Sequence, residues 1–158
     1  MNPVYFSSYA DSRHLKNLED ILFFNKNQKI YNAQINNSVT RFGNPKIVED
    51  KKKLRVIIEK IKDCQNLFVF DSGGNDSSLL GVLIYYRESL KNIVILHIAV
   101  TEECSYTGKY HGEYITFRLI NRLKEDVGKI KGVETVSFAY KTGNTGLSQI
   151  PVKHKSFL

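Results

Sequence analysis

Asn92 to Val100 (NIVILHIAV) constrains this chain more than any other stretch. It is apolar at odd and even positions alike, so a strand made from it needs cover on both faces. As a helix it is far short of the roughly 20 residues that cross a bilayer. It predicts a central strand in a sheet, and 158 residues are enough to bury one core around it. The remaining elements are ordered by what they place beside this strand.

Val4 to Ser7 can start a strand. Asp11 or Ser12 can cap a helix through His14, Leu15, Leu18, Ile21 and Leu22, which share one apolar face. Residues 25–46 are rich in Asn, Gln and Ser and read as a long loop with a short helical turn. In Glu49 to Asp63, Leu54, Ile57, Ile58 and Ile61 fall at i, i+3, i+4 and i+7, which predicts a second helix. Leu67 to Phe70 is a short strand. Leu79 to Tyr86 (LLGVLIYY) fits either a strand or a helix. Its Val, Ile and Tyr residues favour the strand, and Gly81 would cost a helix interior about 1 kcal/mol. A polar loop, Thr101 to Tyr110, leads to a helix marked by Ile115, Leu119, Ile120, Leu123, Val127 and Ile130. Val133 to Ala139 is the last strand, and the final stretch has no clear period. The expected fold is α/β: a mixed, largely antiparallel sheet flanked by helices, in the order β-α-α-β-β-β-α-β, as one domain over residues 1–158. The crossover from Val100 to Val133 joins parallel neighbours.

Composition narrows the function classes. A net charge of +7 would draw anions such as nucleotides and coenzyme phosphates, although a lysine-rich surface explains it as simply. The basic residues never concentrate beyond clusters such as Lys51-Lys52-Lys53, and no nucleic-acid-binding signature is present. Cys64 and Cys104 form no CxxC pair and read as reduced thiols of a cytoplasmic protein. The first residues carry no basic-then-apolar leader pattern, and no membrane association is expected. His97, Cys104 and His111 lack a recognised zinc spacing, so no metal site is expected.

One motif pulls the other way. Ser72 to Ser77 (SGGNDS) matches the SGGxDS pattern of the PP-loop ATP-pyrophosphatases, in which such a loop cradles a pyrophosphate between a strand and a helix. The same residues are ordinary turn formers. The element after the loop separates the two readings: a helix at Leu79 to Leu90 for the PP-loop, a strand and a hairpin otherwise.

The element order and the residues at the end of the strong strand resemble the GNAT superfamily of N-acetyltransferases, over roughly residues 3 to 144. Ile95 to Val100 (ILHIAV) is similar to that family's fourth strand. LFVFDSGGNDSSLLGVLIYY is similar to its second and third strands, and GVETVSFAYKTGN to its fifth. The resemblance implies a transfer of acetyl from acetyl-CoA, as co-substrate, to an amine by direct attack. It implies that Ile98, Ala99 and Val100 hold the pantetheine and the carbonyl, and that Asn144 sits where the family often has an Asn. The family's phosphate motif matches here in two registers, Lys109 to Tyr114 or His111 to Thr116, neither with both small residues. Gly108, Lys109, His111 and Gly112 are the candidates for phosphate contacts at a helix N-terminus. Glu102 and Glu103 are candidate bases just past the strand. Tyr140, with Tyr106, is a stand-in for the family's general acid, because the C-terminal part is shortened. His97 is expected to be a hydrogen-bonded core histidine. The acceptor would be an amine-bearing small molecule or protein. A missing C-terminal strand would leave a sheet edge that a second copy could cover. Two other readings stand beside this one: a non-catalytic GNAT-like CoA-binding or interaction module, and the PP-loop ATP-binding protein.

Overall fold

The computed structural model describes residues 3–23, 39–72, 77–104, 113–139 and 149–152. The strands are β1 (Val4–Ser7), β2 (Ala10–Asp11), β3 (Pro45–Asp50), β4 (Lys53–Ile58), β5 (Gln65–Asp71), β6 (Leu79–Arg87), β7 (Asn92–Val100), β8 (Thr135–Phe138) and β9 (Gln149–Pro151). Two helices are described in full, α1 (Leu15–Phe23), between β2 and β3, and α2 (Ile115–Val127), between β7 and β8, and residues 39–42 are also helical. Six strands form one sheet in the order β1-β5-β6-β7-β8-β9, and three form a second in the order β2-β4-β3. Within the large sheet only β7 and β8 run parallel. The fold is mixed α/β with a mostly antiparallel sheet.

NIVILHIAV is central, as its two-sided apolarity requires. Val94, Leu96 and Ala99 pack on the face covered by α1 and the small sheet. Ile93 and Ile95 pack on the opposite face, against Leu119, Leu123 and Val127 of α2. β5 divides in the same way, with Phe68 and Phe70 on the first face and Leu67 and Val69 on the second. The α2 stripe is the expected one, although the helix stops at Val127 and Ile130 lies beyond it.

Leu79 to Tyr86 is strand. β6 pairs antiparallel with β5, and Asp71 N–H donates to Ser78 O at 2.9 Å across the connection. The strand-to-helix setting that the PP-loop reading needs is therefore absent, and that reading fails. Gly73 to Asp76 lie outside the described residues.

The predicted helix over Glu49 to Asp63 is a second correction: these residues form most of the β3–β4 hairpin. Leu54, Val56 and Ile58, at period two, are buried, and β3 and β4 pair residue for residue from Pro45↔Ile58 to Asp50↔Lys53. The connection is the two-residue turn Lys51-Lys52, both with positive φ (50° and 65°), the twist that suits tight hairpins. The helical spacing of Leu54, Ile57, Ile58 and Ile61 is also satisfied by a strand with one extra apolar residue, and tertiary pairing decides. The expected order β-α-α-β-β-β-α-β thus changes where a second helix was placed over Glu49 to Asp63: a hairpin stands there, and helical residues 39–42 precede it.

Two contacts tie the layers together. Asn66 on β5 uses its carboxamide as a piece of strand edge: Val56 N–H donates to Oδ1 at 2.7 Å, and Nδ2 donates to Val56 O at 2.8 Å. His14, in the turn before α1, packs at 5.2 Å against the Phe70 ring. The outer edge of β8 is covered by β9, with Val152 N–H donating to Glu134 O at 2.9 Å, so the open edge expected there is occupied. Among the described residues, no helix is long and apolar enough to cross a membrane.

Candidate active site

The candidate site begins with a change of partners along β7. Its first half is paired on both sides: Ile93 to Ile95 ladder to β6, and Asn92 to Ile95 ladder to β8. The β8 ladder ends there, with Ala139 N–H donating to Ile95 O at 2.8 Å. β7 continues alongside β6 to Val100. Among the described residues the two parallel strands therefore share the first part of β7.

A β-bulge sits at this divergence. Ile84 faces His97, while the next residue, Tyr85, faces Ile95, so β7 has one extra residue around Leu96. The bulge resets the alternation of β7. Ile93 and Ile95 before it, and Ile98 and Val100 after it, all lie toward α2. The same reset governs the main chain. Thr101 N–H donates to Leu80 O at 2.8 Å. Alternation in an antiparallel ladder then turns the peptide groups of Ala99 toward β6, and those of Ile98 and Val100 toward the β8 side. The three strand residues named as candidates for holding pantetheine thus present their peptide groups to opposite edges of β7, Ala99 to one and Ile98 and Val100 to the other. Gly81, opposite Val100, lets the layers close: a Cβ there would stand 2.9 Å from Ala99 O and 3.3 Å from Leu119 Cδ1.

Past β7 the chain makes a single 3-10 turn, Glu102 to Cys104, closed by Cys104 N–H donating to Thr101 O at 3.0 Å. Glu102 and Glu103 are exposed and line a cleft of 410 Å³, together with Asn17 and Asp20 of α1 and Ser78. Asp20, Glu102 and Glu103 bring three carboxylates to this cleft, and no Lys or Arg is among its described lining residues. Cys104 is half-buried, and burial, with the neighbouring Glu103 and Glu113 carboxylates, pushes its thiol up to about 12. At neutral pH it is a protonated thiol and a poor nucleophile.

α2 starts abruptly. Tyr114, at the N-cap, takes the left-handed conformation (φ 53°, ψ 45°), and its own side chain makes no cap hydrogen bond. The first N–H groups of α2 thus have the dipole and the orientation that anions favour. Glu113 and Arg118 form a mostly buried ion pair at 3.6 Å beside this end. Gly108, Lys109, His111 and Gly112, expected just upstream, lie outside the described residues, as do Tyr140 and Asn144.

His97 is buried, as a core histidine would be, and burial lowers its pKa to about 4. It also lines a second pocket, on the α1 side of the sheet, beside Leu96. Sequence reasoning did not reach this role. A lone histidine in an apolar strand signals burial, and the bulge that gives it a pocket depends on pairing with β6. The contribution of Asn17 and Asp20 to the acidic cleft was likewise out of reach, since it comes from α1 packing near a distant strand end. Among the described residues, no group of three His, Cys, Asp or Glu is placed to hold a metal ion. No protein-family model and no curated protein matches the chain.

Proposed function

We propose that this protein is an acyl-CoA-dependent N-acetyltransferase of the GNAT type, transferring acetyl from acetyl-CoA to an amine. The observation that supports this reading is that β7 runs on beside β6 past Ile95, its last described pairing with β8, with the Ile98 and Val100 peptide groups on the edge away from β6. Pantetheine is a chain of two amides, and a strand edge recognises such a chain through main-chain hydrogen bonds. The start of α2 follows β7 in the chain, and its first N–H groups are where the coenzyme phosphates would be received.

The chemistry is a direct displacement. The amine nitrogen attacks the thioester carbonyl, and an N–C bond forms. The C–S bond then breaks, and the electron pair leaves on the CoA sulfur. A peptide N–H of β7 stabilises the developing oxyanion. Glu102 or Glu103, at the cleft mouth, takes the proton lost by the ammonium, directly or through one water. Orientation of amine and thioester in the cleft supplies much of the remaining rate enhancement. The cytoplasmic location and the choice between a small-molecule and a protein acceptor belong to this proposal, as does any pairing with a second copy.

A non-catalytic CoA-binding module is the second reading. The exposure of Glu102 and Glu103 favours it, because that is the state of ordinary solvated acids. One experiment separates the two. Thermal melts with acetyl-CoA, CoA and ATP are followed by mass-spectrometric detection of CoA release across a panel of amines. The proposal expects stabilisation by acetyl-CoA and CoA, and amine-dependent release. Stabilisation without release supports the module, and stabilisation by ATP alone contradicts both.

A further inference from the structure

The pocket beside the β7 bulge has a chemistry unlike that of the acidic cleft. Leu96 and His97, the two residues that follow the last β8-paired position, form one wall. Leu22 of α1, Phe42 and Ile58 of β4 form others, and the volume is 310 Å³. Among the described lining residues none is Lys, Arg, Asp or Glu, and the polar ones are Asn44 and His97. Burial keeps the His97 imidazole uncharged at neutral pH. The rim is shaped by Gly43, whose φ of +93° and close approach (a Cβ would stand 2.7 Å from Glu59 Cβ) hold it against β4's exit. Such a pocket favours an apolar group, and it penalises a charge that would be stripped of water.

We infer that this pocket receives the aromatic body of an arylalkylamine acceptor, with the amino group directed toward the Ile98 to Val100 stretch of β7. Position supports this: the pocket wall at Leu96 and His97 is continuous with the stretch of β7 that leads to Ile98 and Val100. Size supports it too, since 310 Å³ is at the small end of ligand pockets and suits one ring system rather than an extended chain. The acceptor's role rests on the acetyltransferase reading, whereas the capture of a ring does not.

The test has two arms. In the first, indole at millimolar concentration is added to the wild type and to Val39→Phe, which fills the pocket from its half-buried rim and leaves the strand core untouched. Val39 O, which accepts the Gly43 N–H at 2.7 Å, is kept in this variant. Indole is expected to raise the melting temperature of the wild type and not that of Val39→Phe. Equal shifts, or none, overturn the inference. In the second arm, 2-phenylethylamine and spermidine are compared as acceptors with acetyl-CoA. The arylalkylamine is expected to have kcat/KM at least about tenfold higher, and Val39→Phe to erase the difference. A preference for spermidine would mean that the acceptor enters along Asp20, Glu102 and Glu103, and would overturn the inference. If acetyl-CoA neither binds nor reacts, the acetyltransferase reading fails, and the indole pair alone decides the pocket. His97→Leu, with its own melt as a check of folding, provides a second variant that should also alter indole binding.

Discussion

The two halves of β7 are built from the same kind of residue and do different work. From Asn92 to Ile95 the strand is held on both edges and both faces, and Asn92 Oδ1 accepts hydrogen bonds from Thr135 and Ser137, each at 2.8 Å. From Leu96 to Val100 it is bulged and runs beside β6, past its last described pairing with β8, and Ile98 and Val100 are only partly buried. The first half spends its hydrogen bonds on the sheet. The second half is bulged and keeps β6 as its described strand partner. A continuous apolar run can thus carry the core in one half and, on the proposed reading, a binding edge in the other, with a one-residue bulge as the boundary.

If that division holds, substitutions in the two halves should fail differently. Ile95→Ala, in the first half, should produce the largest effect, a loss of about 2–5 kcal/mol in denaturant unfolding, because it empties a fully covered site. The remaining folded protein should bind acetyl-CoA as before, and a loss of affinity in that fraction would blur the boundary.

The bulge itself should be visible in the pH dependence of stability. Burial lowers His97 from 6.5 to about 4 in the folded state. Between those values the unfolded chain binds the proton and the folded one does not. Stability is therefore complete above pH 6.5 and falls as the pH drops toward 4, by about 3 kcal/mol from this residue. His14, lowered by burial and by Arg13 against the opposing pull of Asp11, adds a slope of the same sign. Urea titrations at several pH values should show His97→Gln losing its share of the slope and keeping that of His14. An unchanged slope would mean that His97 is not shielded.

Just past the second half, Glu102→Gln and Glu103→Gln should leave stability within about 0.5 kcal/mol, as surface changes do. The variant that removes the base should lower kcat by about a hundredfold. If both variants keep full activity, the proton leaves by another route. The smallest effect belongs to Val100→Pro. It alters β7 on the edge away from β6, where the coenzyme is proposed to lie, and acetyl-CoA affinity should weaken by about tenfold in calorimetric titration. Unchanged affinity would remove Val100 from the proposed binding edge.

The legible parts of this fold were those set by local pattern. β7 followed from apolarity on both faces, α2 from Ile115, Leu119, Leu123 and Val127 on one stripe, and β6 from its β-branched and aromatic residues. The β3–β4 hairpin was hidden because its turn is Lys51-Lys52, which carries none of the Gly or Asn that usually marks positive φ. Its apolar residues also fit a helix, and only the Asn66 contact to Val56 and the burial of alternate residues reveal the strand. Of the candidate site, the placement of Ile98, Val100, Glu102 and Glu103 at a strand end was legible. The site was illegible where it depends on which strand faces which: the parity reset at Leu96, the pocket at His97, and the Asn17 and Asp20 side of the cleft.

The central claim is that acetyl-CoA lies along the second half of β7 and not the first. Titration of acetyl-CoA into ¹⁵N-labelled protein, followed by amide chemical shifts, tests it directly. The account predicts saturable shifts at Ile98, Val100 and the first residues of α2, with Ile93 to Ile95 nearly still. Saturable shifts centred elsewhere, or none at all, would contradict it.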